Sequence, residues 1–140
     1  MTTVVLRIQG KHLDVDQCLT WIPETALGQV WRAGERRHGG KVSATSGCNV
    51  LLSENEDTSL AVEEAMRGFL SLAPQVAALV RSGATAVVDF ALFIEAMGAR
   101  SIQLDPGVLR AVGQYGVGIV VSAYPCADAP DSPGRPRGPG

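Results

Sequence analysis

Thr85-Ala86-Val87-Val88-Asp89-Phe90-Ala91-Leu92-Phe93-Ile94-Glu95-Ala96 is the stretch on which the fold turns. Successive side chains of an extended chain point to opposite sides, so Val88, Phe90, Leu92 and Ile94 share one face. Val87, Ala91 and Phe93 make the other face partly apolar too. A strand apolar on both faces belongs inside a sheet, covered on much of both sides. Asp89 and Glu95 interrupt the run, and no apolar run in the chain approaches the roughly 18 residues that span a membrane.

C-terminal to this strand, Met97-Gly98-Ala99 turns the chain, and residues 101–104 predict a short strand. Asp105-Pro106 opens a helix, with a capping aspartate followed by proline at the first helical position. Val108, Leu109 and Val112 form its apolar stripe, and Gly116 stops it. Residues 117–124 predict the last strand, with Ile119, Val121 and Ala123 on one face. Beyond it, five prolines from Pro125 to Pro139 alternate with Gly134, Gly138 and Gly140. Such a segment buries too little apolar surface to offset its ordering entropy. The expectation is one domain over residues 1–125 and a disordered Pro/Gly-rich tail over 126–140.

N-terminal to the strand, Gly83 marks the end of a long helix that starts near Thr58 or Ser59. Val62, Met66, Phe69, Leu70 and Ala73 follow helical spacing, and Val76, Ala77, Leu79 and Val80 continue the stripe. Pro74 between them predicts a kink or a restart. Residues 41–46 and 48–53 read as two strands joined around Gly47. Residues 24–40 have no clean period and read as a long loop carrying one short strand. Before it, residues 13–22 predict a short helix capped by Asp14 and ended by Pro23, with Val15, Cys18, Leu19 and Ile22 buried. Val4, Leu6 and Ile8 line one face of a first strand over residues 4–9. Strands and helices are mixed in order and a hairpin is expected. The fold class that follows is α+β: a single mixed, mainly antiparallel sheet with about three helices packed largely on one face. A split βαβ arrangement fits the first two-thirds of the chain.

The chain has 140 residues, 46% apolar and 19% charged, which favours a well-filled core. Its net charge of −2 gives no footprint for nucleic-acid binding. The opening residues lack a basic start and a long apolar run, so no signal peptide is read and a cytoplasmic location is expected. Cys18, Cys48 and Cys126 are odd in number and widely spaced, which favours reduced thiols over disulfides or a zinc site. No metal and no cofactor is expected.

Several of these residues carry a resemblance. Gly10 with Leu13-Asp14 opens the first helix, Leu19 and Pro23 close it, and Gly34-Glu35 lies in the long loop. Leu52-Ser53 ends a strand, and Leu104-Asp105, Leu109, Gly116, Ile119 and Tyr124 follow the long helix. Over residues 4–124 this pattern resembles the bacterial domain-of-unknown-function family numbered 4279. The resemblance implies one domain and a bacterial origin, and it assigns no activity. The family places a tryptophan at the start of the strand that here reads Cys48-Asn49-Val50; either that aromatic is lost or Trp31 fills its space.

Among groups that could carry chemistry, His12, Asp14 and Asp16 lie close in sequence, but Asp14 has a capping duty and His12 sits in a turn. Arg32, Arg36, Arg37 and His38 precede Gly39-Gly40. Glycine lets backbone N–H groups approach an anion, and arginine supplies forked donors. The spacing matches neither a Walker loop nor a dinucleotide fingerprint. Long loops on rigid scaffolds commonly carry function, so Trp31, Arg36, Arg37 and His38 are the candidate ligand- or partner-binding residues. Trp21 and Trp31 suit either core packing or a partner surface. The turn Glu54-Asn55-Glu56-Asp57 lacks calcium-loop spacing and reads as a solvated helix entry. Cys48 with His38 is a pair without a third residue, so no catalytic set is assigned. The expected function is a non-enzymatic protein-binding module, such as an immunity or inhibitor protein. The alternative is a small enzyme or anion binder using the 31–40 loop. Self-association through a sheet edge or the Trp-bearing face is a third possibility.

Overall fold

In the computed structural model, residues 1–36 and 39–126 are described. β1 (Thr2–Gly10) buries Val4, Leu6 and Ile8 completely, as their alternation requires. It pairs antiparallel with β3 (Ser46–Asn55) on one side and with β4 (Thr85–Ile94) on the other. β2 (Leu27–Trp31) adds antiparallel to β3, and β5 (Gly118–Pro125) adds parallel to β4. The five-stranded order is therefore β2-β3-β1-β4-β5. The 85–96 stretch occupies an interior strand, and the sheet is mixed and mainly antiparallel, as read from the sequence.

The three helices α1 (Val15–Cys18), α2 (Thr58–Arg81) and α3 (Pro106–Gly113) all feed one core. That core meets the sheet face carrying Leu6, Ile8, Cys48, Val50, Val88 and Phe90. α2 starts where Asp57 accepts the Leu60 N–H at 3.1 Å, and just past its Ser82 cap the chain turns at Gly83, whose φ of +108° suits glycine. Ala61, Ala65 and Ala73 let it sit close to the sheet, and Phe69 fills the centre, with Tyr115 edge-on at 5.9 Å.

Four local expectations are corrected. α2 runs unbroken through Pro74. Pro74 and Leu70, whose carbonyl lacks its usual donor, both lie on the exposed side, where water can serve instead. Gly47 does not separate two strands: β3 starts at Ser46 and passes straight through it. A side chain there would meet the Ile8 carbonyl oxygen and the Trp31 indole, so glycine marks a close approach rather than a turn. Residues 101–104 form no strand, although Ile102 and Leu104 still pack against the core. The first helix is one short turn, because Thr20 Oγ1 donates to the Gln17 carbonyl at 2.6 Å and the chain leaves the helix before Pro23.

Candidate functional site

With α1, α2 and α3 on one side, the other face of the sheet has no helix over it among the described residues. The same alternation that buries Val4, Leu6 and Ile8 turns Val5, Arg7 and Gln9 of β1 to this bare face. They meet Asn49 and Leu51 from β3 and Val87, Asp89, Ala91 and Phe93 from β4. Phe93 stacks on Tyr124 of β5 with ring centroids 5.4 Å apart.

Asp89 is the unusual member. It is 1% exposed although no helix covers it. Its Oδ1 accepts from Ser122 Oγ at 2.9 Å, and Arg7 Nη2 lies 3.0 Å from Oδ2. No N–H of Arg7 is aimed along that line, so the contact is an ion pair rather than a formed hydrogen bond. A sealed carboxylate needs such partners, since an uncompensated one is costly to bury. Arg7 itself stays half exposed. Asn49 Oδ1 is also sealed from solvent and has no hydrogen-bond partner among the described residues.

Beside Arg7 the face dips into a hollow of about 390 Å³, lined by Arg7, Gln9, Gln29, Trp31, Asn49, Thr85 and Val87. Trp31, named from the sequence, is a wall of this hollow. It is only 9% exposed, its indole lies over Gly47, and its Nε1 donates to Thr45 Oγ1 at 3.3 Å. Its register partner is Gly47, so the indole lies on the opposite face of the sheet from the buried Cys48 side chain. Arg36 lies farther out on an exposed loop closed by its bridge to Val42, with Nη1 3.4 Å from the Gly40 carbonyl, and it does not line the hollow. Arg37 and His38 lie outside the described residues, as do residues 127–140 of the tail. The structure therefore separates Trp31 from Arg36 and brings Arg7 and Asn49 to the tryptophan instead.

The remaining sequence candidates have structural duties. Asp14 caps α1 through the Gln17 N–H at 3.1 Å. Asp16 accepts from Arg32 Nη2 at 2.6 Å, and this hydrogen bond raises the Arg32 pKa. Asp57 and Asn55 brace the start of α2. Cys18 and Cys48 are buried free thiols. Burial, and then the nearby Cys18, push the Cys48 thiol up from 9.0 to about 11; burial, and then Asp14, push Cys18 up as well. Both are protonated at neutral pH, the opposite of what a nucleophilic thiol needs. Among the described residues, no three His, Cys, Asp or Glu side chains converge as a metal site would require. No helix among them is long and apolar enough to cross a membrane.

The Arg7–Asp89 pair was missed by sequence reasoning. Its signal was present: a carboxylate in the middle of the most apolar strand demands a partner. No local spacing says that the partner comes from β1. No family model, no curated protein and no solved structure matches this chain, so the resemblance described above stands on the quoted residues alone.

Proposed function

We propose that this chain is a non-enzymatic protein-binding module that docks its partner on the bare face of the sheet. The finer form of the reading is an immunity- or inhibitor-like protein that masks another protein. The observation that carries it is the make-up of that face: Val5, Leu51 and Val87 lie around Arg7 and the amides of Asn49 and Gln9, and the Phe93–Tyr124 stack lies farther along the same face. Apolar and aromatic groups with arginine, and few lysines or glutamates, are the composition of a recognition surface rather than of a solvent coat. The occupant this chemistry fits is a protein surface with an apolar centre and a hydrogen-bonding rim. It is a poor match for a polyanion, since Asp89 already neutralises Arg7.

Leu51 is 41% exposed and lies away from the core, so Leu51→Glu tests the face, with the circular dichroism spectrum and thermal midpoint checked against wild type. Leu60 on the outside of α2 is equally exposed and serves as the control. The wild-type chain and Leu60→Glu are expected to retain the same protein from native lysate in stoichiometric amount, and Leu51→Glu to lose it. Equal retention by all three, or retention by none, overturns the reading.

A second reading is favoured by the polar lining of the Trp31 hollow, where Arg7, Gln9, Gln29 and Asn49 come together. A small polar ligand that engages Arg7 and the amide groups there would fill that hollow. Asn49→Leu would then abolish small-molecule binding seen by ligand-observed NMR.

A further inference from the structure

We infer that β5 pairs with the β5 of a second copy of this chain, antiparallel about a two-fold axis, to give one continuous ten-stranded sheet. β5 bonds to β4 on one side and is the edge of the sheet among the described residues. Its other side is a row of backbone N–H and C=O groups eight residues long. Natural edges of this length are usually protected by charge, a bulge, an internal proline or brevity. β5 has none of these: Gly-Ile-Val-Val-Ser-Ala-Tyr-Pro contains no charged residue, pairs with β4 without a register shift, and holds proline only at its last position. The opposite edge, β2, is protected. It has five residues, a register shift between Leu27 and Val30, and charged Arg32 and Glu35 just after it.

The side chains of β5 agree with its backbone. Val121 on the helix side is 49% exposed, and Val120 and Tyr124 on the bare face are 38% and 42% exposed. Exposed apolar groups on both sides of an edge are what a further strand would cover. A second copy is the occupant that the charge pattern selects. Antiparallel pairing about a two-fold sets this uncharged apolar strand against itself, so no like charges meet and each apolar side chain gains an apolar neighbour. The same axis keeps the helices of both copies on one side and joins the two bare faces on the other.

The test is light scattering across a dilution series on the full chain and on Val121→Lys and Val120→Lys. Both positions are exposed, so the variants should keep the wild-type circular dichroism spectrum. The wild-type chain is expected at twice the 14.7 kDa of one copy, dissociating on dilution. Each lysine should weaken the dimer by about tenfold or more, because it and its two-fold mate put two like charges into an uncharged apolar seam. A wild-type chain that is monomeric at every concentration overturns the inference. So does a dimer that neither lysine weakens.

Discussion

Gly47, Cys48 and Asp89 show how single residues set this structure. Gly47 is the point where β3, β1 and the Trp31 indole come too close for any side chain. Gly47→Ala is therefore expected to destabilise the fold by about 1–3 kcal/mol, the usual cost of overpacking, as read from urea denaturation. Its neighbour Cys48 binds its proton more tightly folded than unfolded, with its pKa raised from 9.0 to about 11. That contribution is fully present below about pH 9 and is lost as pH rises through about 11. Between those values the wild-type chain should lose roughly 2 kcal/mol that Cys48→Ala does not lose, measured as the difference between their stability–pH curves. Asp89 is sealed beside half-exposed Arg7. Arg7→Ala should cost about 2 kcal/mol, less than for a fully buried pair because solvent already screens the arginine. Arg7→Ala with Asp89→Asn should recover part of that loss.

The elements were largely legible from hydrophobic period, and the exceptions have local physical causes. The alternation in residues 85–96 identified an interior strand, and Asp105-Pro106 identified the start of α3, with Asp105 accepting the Val108 N–H at 2.9 Å. Pro74 and Gly47 misled because proline and glycine usually punctuate elements, whereas here each answers to where it sits. Pro74 lies on the wet side of α2, and Gly47 lies under an indole. If α2 only tolerates Pro74, then Pro74→Ala should raise stability by about 1 kcal/mol, net of the freedom it returns to the unfolded chain. Phe69→Ala, in the centre of the same helix, should cost about 3–5 kcal/mol. The candidate site was less legible than the elements. Trp31 was found from its loop, but Arg7, Asn49 and Asp89 meet only through pairings between distant strands.

At the scale of the whole molecule, one asymmetry governs the reading. All three helices pack on one face of the sheet, and the other carries apolar, aromatic and amide side chains together with an arginine paired to a sealed aspartate. Partner docking is tested at Leu51 of β3 and self-pairing at Val120 and Val121 of β5, so the two can fail separately. The most direct test of the first is calorimetric titration of the captured partner into wild type, Leu51→Glu and Leu60→Glu. The account predicts that Leu51→Glu weakens binding by about thirtyfold or more, the effect of a charge placed in the centre of an interface, while Leu60→Glu binds like wild type. Unchanged affinity in Leu51→Glu would contradict it.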